Sequence, residues 1–158
     1  MLTIRENLLE TIKGGTPDRF VKQYEFMEII TNDPHALKYP DPVPGGGPVH
    51  TGWGVTRIFP DGAPGAFPMH SPEDLIVCPD PCEWKSVVKN PPTKYSEEDW
   101  APAVAAANAV DRNEKFVACF IAPGLFEQTH YLMEMQNCMM SFYEEPEAMH
   151  ELIDYITE

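Results

Sequence analysis

The stretch Lys115-Phe116-Val117-Ala118-Cys119-Phe120-Ile121-Ala122 is apolar at alternate and intervening positions alike, from Phe116 onward. An extended segment with two apolar faces is the pattern of a strand covered on both sides, as in a parallel sheet. Pro123-Gly124 ends it. Upstream, Ser96-Glu97-Glu98-Asp99 caps a helix running to about Val110, and its Ala-rich centre suits close approach to a sheet. Downstream, a helix is expected from about Leu125 to Met133. Helix, strand and helix in succession place the chain in the α/β class. Cys119 is then expected in the core, as is Cys138 in the helical stretch that follows.

Working outward, Thr3-Ile4-Arg5-Glu6 opens the first helix as a capping box. Ile4, Leu8, Leu9 and Ile12 form its apolar stripe, and Gly14-Gly15 ends it. Thr16-Pro17-Asp18-Arg19 is a turn. The alternation in Phe20-Val21-Lys22-Gln23-Tyr24-Glu25-Phe26 predicts a first strand. Glu28 to Tyr39 reads as a helical patch interrupted at Pro34, and Pro40 to His50 as a loop. Gly52 to Pro68 reads as a hairpin, with Asp61-Gly62 and Pro64-Gly65 as turn residues. Ser71-Pro72-Glu73-Asp74 looks like a helix start with proline at its first position. Asn137 is expected to cap a short helix. Pro146 begins the last one, whose stripe of Met149, Leu152, Ile153 and Ile156 has nothing after it to cover it.

The chain has 158 residues, enough for one domain with one core. Its net charge of -14 argues against nucleic acid and anionic membrane surfaces as partners, since the phosphate term needs clustered Lys and Arg. No segment resembles a signal peptide or a membrane span, so the cytoplasm is expected. The four cysteines then read as reduced thiols. Cys78-Pro-Asp-Pro-Cys82 meets neither redox nor usual zinc spacing, even with His50 and His70 as further donors. No metal site is expected within the chain.

Three stretches, with the tail that follows them, resemble the N-terminal portion of the uroporphyrinogen decarboxylase superfamily. The first runs from Arg5-Glu6-Asn7-Leu8-Leu9 through Gly14 to Pro17-Asp18-Arg19-Phe20. The second is Trp53-Gly54-Val55, then Phe67-Pro68-Met69-His70-Ser71-Pro72, Leu75 and Cys78-Pro79-Asp80-Pro81. The third is Phe116 to Ile121 with Pro123-Gly124-Leu125-Phe126-Glu127, followed by Tyr143-Glu144-Glu145-Pro146-Glu147-Ala148-Met149. The resemblance implies the front part of a (β/α)8 TIM barrel, incomplete in this chain, with a hairpin inserted between its first two strands. Residues 1–27 would hold the leading helix and first strand, 28–95 the Pro/Gly-rich insertion, and 96–158 a helix, the second strand and the following helices.

Two branches of that superfamily differ in chemistry. Heme-pathway decarboxylases carry an Arg-Gln-Ala-Gly-Arg stretch after the first strand to hold substrate carboxylates. Here that region reads Glu25-Phe26-Met27-Glu28-Ile29, and no arginine lies between Arg19 and Arg57. An acidic segment repels a polycarboxylate. The likeness is therefore closer to the corrinoid-dependent methyltransferases, in which zinc activates the acceptor of a methyl group carried by a cobalamin. The zinc ligands of that branch belong to a later part of the barrel and are absent here. The implied partners are methylcobalamin or a corrinoid protein, and the remainder of the barrel or a partner subunit covering the last helix. Alternatives are a uroporphyrinogen decarboxylase-type lyase and a non-catalytic binding or assembly module. This chain alone is expected to be inactive.

In such barrels chemistry sits at the C-terminal ends of the strands. Glu25, expected to end the first strand, is a candidate for the mouth or a solvated acid. Glu127, Gln128 and His130 follow the second strand and are candidates for contacts with a ligand. Glu127 is equally well placed as a first-turn helix acid, and His130 as a packed residue. Trp53 and Phe67 are candidates to stack on a flat corrinoid, against the plainer reading that they fix the hairpin to the fold. His70 is expected to hold its loop by hydrogen bonds.

Overall fold

The computed structural model describes all 158 residues. It is a mixed α/β chain, 44% helix and 9% strand, so helices rather than sheets must supply most of the buried surface. Two compact units are formed, each from two stretches of chain: residues 1–34 with 95–121, and residues 35–94 with 122–158.

The first unit contains α1 (Ile4–Lys13), β1 (Met27–Ile30), a later helix at Glu97–Ala109 and a later strand at Phe116–Cys119. The Thr3–Glu6 capping box forms at the start of α1, and Gly14 closes it at φ 69°. Asn7, facing inward from α1, is 2% exposed. Its amide donates to the carbonyls of Leu2 and Thr3, both at 3.0 Å, and its oxygen accepts from the Arg19 amide at 3.1 Å. Asp18 accepts from the Leu2 amide at 2.5 Å. The Pro-Asp-Arg turn is thus bonded to the start of the helix by its own polar groups. Ile12, counted in the apolar stripe, is exposed.

The expected strand over Phe20–Phe26 is instead irregular as far as Lys22 and a turn over residues 23–26. Tyr24 sits at φ 65°, which breaks an extended run. Arg19 and Glu25 bond to each other across it, and Glu25 also accepts from the Lys22 amide at 3.0 Å. The strand begins at Met27, inside the segment expected to be helical. Met27, Glu28, Ile29 and Ile30 pair in parallel with Phe116, Val117, Ala118 and Cys119. Lys115 and Glu28 add an ion pair at 2.9 Å, and the Arg5 guanidinium lies over the Phe116 ring at 4.7 Å.

At the boundary of the units α2 spans Pro34–Lys38, so Pro34 starts a helix rather than interrupting one. Strands β2 (Val49–His50), β3 (Thr56–Ile58) and β4 (Phe67–Pro68) form an antiparallel sheet in that order. The expected hairpin is present, with an extra strand ahead of it. Gly52-Trp53-Gly54 is itself the turn between β2 and β3. The Thr51 hydroxyl accepts from the Trp53 and Val55 amides at 3.3 and 3.2 Å, and Gly54 takes φ 80°. The expected helix after Ser71-Pro72 is a single 3-10 turn over Glu73–Leu75, with no side-chain cap. A second such turn, Pro81–Glu83, leads into α3 (Trp84–Val87).

The helix α4 (Glu97–Ala109) and strand β5 (Phe116–Cys119) belong to the first unit; α4 matches its expected position, whereas β5 lies within the expected run but ends at Cys119, short of Ala122. Ser96 and Asp99 form the capping box. Yet β5 is not covered on both faces. Phe116 to Ala118 are half-buried, Cys119 is exposed, and Phe120 and Ile121 are 71% and 88% exposed. The sheet has two strands only, so the outer side of β5 has no neighbouring strand.

The second unit ends with α5 (Leu125–Met133), α6 (Met135–Glu144) and α7 (Pro146–Thr157). Their apolar faces meet α3 and the hairpin in one core of Val55, Cys78, Trp84, Val88, Leu132, Met133, Cys138, Met149 and Leu152. The stripe of α7 is therefore covered by elements that precede it: Met149 and Leu152 are fully buried. The cap of α6 is Glu134, not Asn137. Glu134 lies at φ 75° and accepts from the amides of Gln136 and Asn137 at 2.9 and 3.1 Å. Asn137, a turn inside, donates to the Pro79 carbonyl at 2.7 Å and so fixes the Cys-Pro-Asp-Pro loop. No helix is long and apolar enough to cross a membrane.

Candidate functional site

A group of polar side chains lies where the hairpin meets α5. Thr129, inside α5, is buried and its hydroxyl donates back to the Leu125 carbonyl at 2.7 Å, which satisfies it. His70, in the loop after β4, shares a hydrogen bond at 2.9 Å between its Nε2 and the Tyr131 carbonyl of α5. This fixes the loop, as expected. His130 stands beside it, with its ring 5.3 Å from Phe126 and 4.8 Å from Tyr131, centroid to centroid. Burial lowers the proton affinity of His130, and the neighbouring His70 lowers it further, against a smaller opposing pull from Glu127.

Arg57, in the middle of β3, reaches the same helix from the sheet. Its guanidinium carbon is 5.8 Å from the centroid of the Tyr131 ring. Nη1 pairs with Asp41, whose side chain is exposed. Gln128 is 5% exposed, and its side-chain nitrogen has no hydrogen-bond partner; the same holds for Nε of Arg57. These are two buried donors without acceptors, which native proteins rarely leave.

The other candidates are placed differently. Glu127 is exposed in the first turn of α5, with its carboxylate turned back over Gly124: a side chain at 124 would meet Oε2 at 2.7 Å. That is the position of a first-turn acid facing the helix dipole. Trp53 packs against the helical core, edge-on to Tyr155 at 6.4 Å, while Tyr155 leans on Trp84 at 5.0 Å. Its ring therefore fixes the hairpin to α7. Phe67 on β4 is 46% exposed. Glu25 lies in the first unit, ahead of β1, at the opposite end of that strand from the one expected. The Arg19 side chain, and then the Lys22 amide, hold its carboxyl down to about 2.

The structure thus brings His70 beside His130 at α5, with Glu127 and Gln128 elsewhere on the same helix. It separates Trp53 and Phe67 by role, and sets Glu25 into a turn as an anchoring acid. Arg57 and Tyr131 were missed. Neither stands in a motif, and only the pairing of β3 and the course of α5 give them significance.

No group of three or more His, Cys, Asp or Glu side chains is arranged to hold a metal ion. Cys78 is buried, its thiol pushed up to about 11 by that burial, and donates to the Asp80 carbonyl. Cys82 is exposed and donates to Glu145. The two thiols do not serve one centre, and the residues present do not fit a zinc ion. No family model, curated protein or solved structure matches the chain.

Proposed function

We propose that this chain is the front part of a (β/α)8 barrel of the uroporphyrinogen decarboxylase superfamily. Its parent would be a cytoplasmic enzyme that transfers a methyl group between methylcobalamin, free or on a corrinoid protein, and a zinc-activated acceptor. The observation that supports this most is the parallel pairing of β1 with β5, with α4 as the helix preceding the second strand. Two parallel strands with a helix between them are the repeating step of such a barrel. The antiparallel sheet carrying Trp53-Gly54 stands between them in sequence, where the resemblance requires an insertion.

The choice of branch rests on the arginines. Arg19 is bonded to Glu25, and Arg57 to Asp41. Neither is an uncommitted cation for a substrate with several carboxylates. Of the two hairpin aromatics, Phe67 has the exposed ring and is the one proposed to lie against a flat macrocycle; Trp53 is committed to the core. Zinc would supply activation of the acceptor in the parent, but no step of that reaction is assigned to residues of this chain.

The test is the source DNA beyond the Glu158 codon. A frame that continues through further strand–helix units to a His-x-Cys and a later Cys is the expected result. An immediate stop codon overturns the proposal.

A further inference from the structure

We propose that the exposed face of α6 is a docking site for a cationic amphipathic helix of a partner protein. The proposal does not rest on the parent enzyme. It begins with the way α6 divides its residues. Cys138 and Ser141 are buried and Phe142 is half-buried, so these turn to the core. Met135, Met139 and Tyr143 follow one another at every fourth position on the side away from it, with Met140 alongside. The three methionines are 44%, 48% and 46% exposed, and Tyr143 is 88% exposed. Gln136 stands among them, its Nε2 4.0 Å from the sulfur of Met140.

The apolar surface continues onto α5. The exposed Phe126 ring stacks on Phe142 at 6.5 Å, centroid to centroid. A surface helix ordinarily turns a polar side to water. Here the outer side is apolar as well, and an exposed apolar patch with a charged rim marks an interaction surface. Methionine suits such a surface, because its unbranched side chain adapts to the shape laid on it.

Charge selects the partner. Residues 122–158 hold eight Asp and Glu and no Lys or Arg. Lys85, from α3, pairs with Glu151 on α7. Glu144, Glu145 and Glu147 crowd the junction of α6 and α7, at one end of the apolar face. Glu145 accepts from the neutral Cys82 thiol, and none of the ion pairs includes Glu144 or Glu147. A second copy of the chain would set these acids against themselves.

The backbone groups of α6 are used within the helix, so a strand finds no edge there. The partner meets side chains only, and a helix laid along α6 fits its ridges. From Met135 to Tyr143 the face runs about 12 Å, which is room for apolar anchors on two turns of a partner helix. Its Lys or Arg residues would lie at the end against Glu144 and Glu147.

The test is a titration of the full chain, labelled with 13C-methyl methionine, with a synthetic peptide of leucine and lysine. Its leucines stand at i, i+3, i+4 and i+7. Met135, Met139 and Met140 should shift together and saturate at one peptide per chain, while the buried Met149 stays still. The same composition in scrambled order should bind about tenfold more weakly or worse, and a peptide with glutamate for lysine should not bind. Met139→Gln with Met140→Gln, both at exposed positions, should weaken binding about tenfold or more. Glu144→Gln with Glu147→Gln should weaken it and flatten its dependence on salt. The proposal is overturned if the scrambled peptide binds equally, if the shifts fall elsewhere, or if neither pair of substitutions weakens binding. Methionine signals that change with protein concentration alone would overturn it in favour of a second copy. The wild-type titration decides alone should a variant fail to fold.

Discussion

Residues 35–94 and 122–158 bury nine apolar side chains in a single cluster, whereas residues 1–34 and 95–121 bury only Ala103 and, at their edge, Pro34. The first unit is joined instead by polar contacts: the Asn7 amide, the Asp18 carboxylate, the Arg19–Glu25 pair, the Lys115–Glu28 pair and a four-residue parallel ladder. Dispersion and water exclusion act on every atom of a packed core. Polar contacts at a surface act one at a time, and each competes with water. The two units should therefore answer differently to substitution and to pH.

The largest effect is expected at Leu152. Truncation to alanine should cost about 2–5 kcal/mol and open amide exchange across α5, α6 and α7. Loss of protection in β1 and β5 to the same extent would break the contrast. Asn7→Ala comes next. It strands the Arg19 amide and removes two bonds to the Leu2 and Thr3 carbonyls ahead of α1, for about 1–3 kcal/mol. Amide exchange should then rise in the turn through Arg19 before it rises in the second unit.

The pH response sharpens the same comparison. Glu25 titrates near 2 in the folded chain, well below an unfolded glutamate. Its contribution is complete above the unfolded value and is lost as pH falls toward 2. Carboxyl NMR should place the midpoint there, and Arg19→Met should return it toward the ordinary range. His130 in the second unit acts in a milder window. Its folded pKa lies below the unfolded one, so its contribution is full above about 6.5 and declines as pH drops through the folded value. A midpoint for His130 at or above that of an unstructured histidine would contradict its burial against Phe126 and Tyr131. The smallest change is expected for Lys115→Met, whose exposed pair with Glu28 should alter thermal stability by about 1 kcal/mol or less.

What was legible in the sequence was local. Thr3 with Glu6, and Ser96 with Asp99, announce their helices because each cap is completed within one turn. The bounds of α5 follow from Gly124 ahead of it and the spacing within it. What failed depended on distant partners. Phe20 to Phe26 alternates as a strand does, but Tyr24 turns left-handed and Glu25 bonds back to Arg19. Met27 to Ile30 becomes a strand because β5 is there to receive it. Nothing in the order of residues says that Met149 and Leu152 are covered by earlier helices, nor that Arg57 reaches Tyr131. At the site, Gln128 and His130 could be chosen from their places after the expected second strand, and His70 from the resemblance of its loop. That His70 reaches the Tyr131 carbonyl beside His130 required the fold.

The register of β1 on β5 has a consequence for synthesis. Met27 leaves the ribosome long before its partner Phe116 is made. At about 5–20 residues per second, the first strand waits roughly 4–18 seconds with its backbone unpaired. A nascent chain paused in this interval exposes Glu28-Ile29-Ile30 as a free edge, open to any other extended segment. Slow codons between those two points should lower soluble yield, and a chaperone that shields short apolar segments should restore it.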